Sequence, residues 1–131
     1  MTAIEIKSES DIVVARSAGR EMARELGFGI SNQTRLATAI SELTRNIIRY
    51  AGAGQCSFFD DSDASELVIR AIVTDQGPGI TDIDLAMTDG FSTGESLGAG
   101  LCGTKQLVKE MHIQSDPEST TVAILIKQRR A

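Results

Sequence analysis

Apolar positions along the chain follow two periods. Ala3-Ile-Glu-Ile-Lys7 alternates as a half-buried strand does. Ser8 and Asp11 then resemble a helix cap ahead of Ile12, and the helix is expected to run to Leu26, with Gly27 as its stop. Ser31 can cap a second helix, in which Leu36, Ile40, Leu43, Ile47 and Tyr50 recur at steps of four and three and make one apolar stripe. That helix should end near Ala51-Gly-Ala-Gly54. Two strand-like segments follow, Gln55–Phe59 and Glu66–Thr74. The second is an almost continuous apolar run, which suits a strand covered on both faces, and Asp75 sits at its exit.

Beyond Asp75 the pattern weakens. Asp82–Met87 could form a short helix, whereas Thr88–Leu97 is rich in Gly, Ser, Thr and Asp without a period and predicts a mobile loop. Helical spacing returns over 98–111, where Leu101, Thr104, Val108 and Met111 recur. His112–Ser115 and Thr120–Gln128 then flank Asp116-Pro117 as a closing hairpin. Together these elements predict an α+β fold, a two-layer sandwich of a mixed, mostly antiparallel sheet with helices on one face. A length of 131 residues suits a single domain spanning 1–131.

Composition narrows the function classes. A net charge of −5 and an aromatic content of 4% argue against a nucleic-acid partner, which would call for a basic surface and stacking rings. No apolar run approaches the roughly 20 residues that span a bilayer, so no membrane partner is expected. No signal peptide precedes the first strand, and a cytoplasmic location is the expectation. Cys56 and Cys102 fit no metal or redox spacing and read as reduced, buried small hydrophobes.

Three short segments carry the chemistry. Glu42 and Asn46 stand one helical turn apart, about 40° offset, beside the apolar stripe. There Glu42 could accept a proton and Asn46 could offer an amide oxygen to Mg²⁺. In Asp75-Gln-Gly-Pro-Gly79, Pro78 presets one turn dihedral and Gly79 can take the positive φ that follows, so a carboxylate at a strand end is followed by small residues that let a flat ring approach. Asp75 would accept from an adenine amine. Gly98-Ala-Gly-Leu-Cys-Gly103 literally satisfies the dinucleotide-binding pattern, but that pattern must follow a buried parallel strand and here follows a polar stretch. The phosphate-loop pattern fails as well, because Thr104 and Lys105 come in reversed order. What survives is glycine backbone beside a helix start, which can bring amides close to phosphate oxygens while Thr88–Leu97 orders above them as a lid.

In this order the three segments resemble the N, G1 and G2 boxes of the GHKL superfamily of ATPases and kinases, whose fold is the Bergerat ATP-binding sandwich. The stretches Ile40–Ile47, Asp75–Ile80, Asp89–Thr93 and Leu97–Leu101 are similar to those of the serine/threonine kinases of the bacterial stressosome. The resemblance implies ATP and Mg as cofactors, with Glu42 polarising the attacking hydroxyl and Asn46 contacting Mg. It gives Asp75 the adenine amine, places Gly77 and Gly79 in the ring-side turn, and turns Gly98, Ala99, Gly100 and Leu101 toward the phosphates. Thr120 would reach the adenine pocket, although Ser119 stands where relatives commonly have glycine, and Cys102 stands where close relatives usually have proline. The implied partners are STAS-domain antagonist and scaffold proteins as phosphoacceptors and a PP2C-type phosphatase as the target of the released kinase. An anti-sigma factor kinase and a nucleotide-gated binding module without significant transfer remain open alternatives. No helical hairpin with a phosphoacceptor histidine is present, and His112, the single histidine, reads as a surface or packing residue.

Overall fold

The computed structural model describes residues 2–75, 101–116 and 119–130, so the expected helix at Asp82–Met87, the loop at Thr88–Leu97 and the turn at Pro117 lie outside the described residues. In chain order the elements are β1 (Thr2–Ile6), α1 (Glu9–Leu26), α2 (Ile30–Tyr50), β2 (Gly54–Asp60), β3 (Glu66–Asp75), α3 (Leu101–Leu107), β4 (Glu110–Asp116) and β5 (Ser119–Arg129). The strands form one sheet in the order β1-β2-β3-β5-β4. The α+β class is as expected, but the four pairings are all antiparallel rather than mixed. Two successive helices explain the first pairing. α1 carries the chain back, α2 reverses it again, and β2 therefore enters beside β1 in the opposite sense; one crossover helix would have made the pair parallel.

Local chemistry sets the helix ends. At the start of α1 the Asp11 carboxylate accepts from the Lys7 N–H at 2.9 Å and the Ser8 N–H at 3.1 Å. The Lys7 bond is the main reason its pKa lies below the ordinary aspartate value of 3.8. Gly27 closes the helix with φ 103°, its N–H reaching the Ala23 and Arg24 carbonyls. The expected Ser31 cap is corrected: α2 begins at Ile30 with Gly29 as N-cap. Gly29 is held there from β5, its N–H donating to Gln128 Oε1 at 2.9 Å, while its carbonyl accepts from the Gln33 N–H at 3.0 Å. A tertiary bond thus moves the helix start ahead of the local capping signal.

The α2 stripe is the spine of the core. Leu36, Ile40, Leu43 and Ile47 are all buried, packed with Cys56 and Phe58 of β2, Ile69, Ala71 and Val73 of β3, and Val122 and Ile124 of β5. Each such aliphatic side chain contributes about 1.5–3 kcal/mol on leaving water. α1 lies closely on the sheet at Gly19, where an added Cβ would stand 3.0 Å from the Phe58 ring of β2 and 3.7 Å from Ile40 of α2. Burial along β3 alternates after Ile69, with Arg70, Ile72 and Thr74 only half-buried, so the strand is not covered on both faces as its apolar run suggested. Cross-strand neighbours shelter that face instead: Ile72 sits opposite Ser57 and Ala123, and Arg70 lies 4.3 Å over the Phe59 ring.

One further boundary differs from expectation. The helical spacing over 98–111 is followed only from Leu101 to Leu107 among the described residues, and Met111 belongs to β4 opposite Ile124. The Lys109 N–H donates to the Leu125 carbonyl at 2.9 Å, which starts the hairpin ladder before Met111 and ends the helical run. Cys56 is fully buried as expected, and burial pushes its thiol pKa up to about 12.

Candidate active site

The polar edge of α2 meets the end of β3 across one cleft. Asn46 projects from α2, Asp75 from β3 and Thr120 from β5, and the walls between them include Leu43, Val73 and Leu101. Asp75 continues the odd-numbered series Ile69, Ala71, Val73 and so lies on the helix-facing side of the sheet. Its register neighbours are Gly54 on β2 and Thr120 on β5, and Thr120 in turn pairs with Ser115 on β4. With Ile6 of β1 opposite Gly54, one row thus crosses all five strands.

That row is polar at the cleft. The hydroxyls of Ser115 and Thr120 are 3.1 Å apart, which orients Thr120 beside Asp75. Ser115 was not among the sequence candidates; the signal for it is the hairpin register, which places it opposite Thr120. Gly54 is required by the same row, because an added Cβ would stand 2.4 Å from the Thr74 carbonyl oxygen and 2.9 Å from Ile47 Cγ2. The described walls enclose about 20 Å³.

Glu42 lies one turn before Asn46 but outside this lining. It is half-exposed and ion-paired with Arg45, Nη1 to Oε1 at 2.9 Å. Arg49, on the same flank, stands 5.9 Å from the Tyr50 ring centre. Of the remaining sequence candidates, Leu101 is buried in the cleft wall, whereas Gly77, Gly79, Gly98, Ala99 and Gly100 lie outside the described residues. The structure therefore joins Asn46, Asp75, Leu101 and Thr120 in one place and leaves Glu42 at its margin.

Residues 31–130 match the family of histidine kinase-, DNA gyrase B-, and HSP90-like ATPases. The serine/threonine-protein kinase RsbT of Bacillus subtilis (strain 168) is 51% identical over 112 residues, 86% of this chain and 84% of that protein. The chain belongs to the RsbT family of protein kinases. Among solved structures, the RsbU and RsbW domains of Rv1364c from Mycobacterium tuberculosis align over 100% of this chain and 34% of theirs, with a TM-score of 0.69 at 20% identity. The mycobacterial sensor histidine kinase MprB aligns over 99% of each chain with a TM-score of 0.59 at 17% identity, and the catalytic domain of histidine kinase ThkA over 96% and 95% with 0.57 at 16%. These structures establish the fold, in agreement with the ATPase family. Binding of ATP follows from membership of that family.

His112 is exposed and faces Glu110, Nε2 to Oε1 at 3.3 Å, on the side of β4 turned away from the helices. The surface role expected of it is what the structure records. No helix among the described residues is long and apolar enough to cross a membrane.

Proposed function

We propose that this RsbT-family kinase transfers the γ-phosphoryl of Mg-ATP to a serine or threonine of small STAS-domain antagonist and scaffold proteins of a stressosome, and that the released kinase binds and activates a PP2C-type phosphatase in a cytoplasmic stress-response cascade. The convergence of Asn46, Asp75 and Thr120 on one cleft is the observation that supports it. Asp75 accepts from the adenine amine, Thr120 holds the ring edge with Ser115 behind it, and the apolar walls take the ring faces. This reading assigns Gly77 and Gly79 to the turn beside the ring, and Gly98, Ala99, Gly100 and the main chain of Leu101 to the phosphates.

Mg²⁺ offsets charge on the phosphates when bound. Asn46 would hold the ion through its amide oxygen, and one protein donor suits Mg²⁺, which commonly keeps only one or two protein oxygens. Glu42 accepts the proton of the attacking hydroxyl as its oxygen bonds to the γ-phosphorus. The bridging bond to ADP breaks in line, its electron pair leaving with ADP.

The test is incubation with labelled Mg-ATP and a cognate STAS protein, beside an assay of phosphatase activation. Phosphate on a partner serine or threonine is expected. Glu42→Ala should lower transfer by roughly 10²–10⁴-fold while Mg-ADP affinity stays within about threefold. Equal loss of both would reject Glu42 as base, and an unmodified partner after prolonged incubation would leave only nucleotide-dependent binding.

A further inference from the structure

On the solvent side of the helix layer, α1 and α2 leave a trough that the nucleotide cleft does not use. One stretch, about 560 Å³, lies over Ile12, Val13 and Ile48 and is rimmed by Arg16, Arg45 and Arg49. The next, about 380 Å³, lies over Ala37 and Ser41 and is rimmed by Arg16, Arg20 and Arg45. Arg16 and Arg45 line both, so the trough is continuous. Its one lining carboxylate is Glu9 at the end.

This concentration of positive charge runs against a chain of net charge −5. Arg16 and Arg20 are spaced i, i+4 on α1, and Arg45 and Arg49 likewise on α2, an arrangement in which like charges repel. Among the described residues neither Arg16 nor Arg20 forms an ion pair. Val13 is 49% exposed on the same helix, next to Val14 at 51%, although the core has apolar neighbours to offer. Folding gains little from either feature, whereas a docked partner would use both.

We propose that this trough receives an acidic amphipathic helix of the protein substrate; calling that partner the substrate rests on the kinase reading above. The shape favours a helix, because a third helix can seat along the groove of an antiparallel pair at the usual 8–10 Å separation. From Glu9 to Arg20 the trough offers about 17 Å, some three turns. Carboxylates on one face of the incoming helix meet the arginine rims, where guanidinium groups can bind them in bidentate fashion. Its aliphatic face covers Val13, Ile12 and Ile48. The docked helix lies beside Arg45, whose present partner is Glu42, which brings the substrate to the margin of the cleft. Nucleic acid would match the charge but not the exposed Val13 and the apolar floor beside it.

The probe is a stapled synthetic helix of about twelve residues with glutamates on one face and leucines on the other; a lysine-for-glutamate version and single-stranded DNA of equal net charge serve as controls. Binding to the full chain is read by fluorescence anisotropy at low and moderate salt and located by amide NMR shifts. The acidic helix should bind, shift residues of α1 and α2 along the trough, and weaken at least tenfold as salt rises from 50 to 200 mM, on the order expected for several ion contacts. Arg16→Glu with Arg20→Glu should abolish that binding and raise the KM for a STAS substrate about tenfold, with kcat within about twofold and Mg-ADP stabilisation unchanged. Arg16→Ala with Arg20→Ala gives a smaller change in the same direction should the reversal unfold the chain. Transfer indifferent to both pairs, shifts elsewhere, or equal binding of DNA and peptide would overturn the proposal. Peptide binding in the trough without any transfer to a STAS protein would instead reject the kinase reading and keep the docking surface.

Discussion

Replacing Gly54 by alanine should damage the fold and the site together. The new Cβ would stand 2.4 Å from the Thr74 carbonyl oxygen and 2.9 and 3.0 Å from two carbons of Ile47. Ordinary carbon–oxygen contact begins near 3.3 Å, so β2 must retreat from the Thr74 carbonyl by about 0.9 Å and Ile47 must give way as well. Neither is easy, since one obstacle is ladder backbone next to the end of β3 and the other a core side chain 1% exposed. Overpacking of this kind costs about 1–3 kcal/mol, and the backbone clash places this case near the upper end. At about 3–6 °C per kcal/mol for a chain of this length, Tm should fall by roughly 10 °C. Gly54 is also the register partner of Asp75, so a displacement approaching 1 Å at the carboxylate should lower phosphoryl transfer by roughly 10²-fold. Urea unfolding gives the stability, and Mg-ADP titration with a transfer assay gives the function. Gly103→Ala is the control, because nothing lies within 4 Å of a Cβ there and the residue sits in α3; it should be stabilising by about 0.4–1 kcal/mol. A Gly54→Ala protein within about 0.5 kcal/mol of the parent and with unchanged nucleotide affinity would refute the reasoning.

Asp75→Asn should weaken nucleotide binding by roughly 1–3 kcal/mol, because an amide presents a donor to the adenine amine; unchanged affinity by calorimetry would remove Asp75 from the base contact. Asp11→Asn should lower thermal stability at neutral pH. Because the folded pKa of Asp11 lies below 3.8, the carboxylate's contribution is present above that value, and the gap between variant and parent should close as pH falls through the lowered pKa; a gap that persists at pH 2 would contradict this account. In a Cys102→Ser background, Cys56 should resist alkylation at pH 8, since a thiol pKa of about 12 leaves roughly one thiolate in 10⁴. Stoichiometric labelling of the native protein within minutes, seen by mass spectrometry, would show that the thiol is not sealed.

How much of this could be read before the fold was known depended on the distance over which each feature is decided. The α2 stripe was legible because its period runs unbroken from Leu36 to Ile47, and the same helix places Asn46 by simple geometry. Asp75 was legible as the end of an apolar strand. The start of α2 was not, because Gly29 is fixed by a Gln128 side chain 99 residues away. Met111 fits a helical step equally well, and only the presence of Ile124 across the hairpin makes it a strand residue. Ser115 carries no local signal and joins the site through register alone. The apolar run of β3 misled in a different way, since cross-strand neighbours on its second face give partial shelter without a covering layer. The arginine trough was hidden for the same kind of reason: Arg16 and Arg20 stand on one helix and Arg45 and Arg49 on another, and only packing of the helices brings them to one trough.

The close contact at Gly19 bears on all of this. The candidate site straddles two layers, with Asn46 and Glu42 carried by helix and Asp75 and Thr120 by sheet, so its dimensions depend on whether one layer can slide over the other. Phe58 rises from the sheet into the notch that Gly19 leaves in α1, with ring carbons at 3.0 and 3.2 Å from where a Cβ would be. A helix layer seated on such a peg cannot shear without first lifting. The alignment of the two halves of the cleft is thereby fixed by a joint that touches no nucleotide, much as a dowel keeps two plates in register whatever is clamped between their edges.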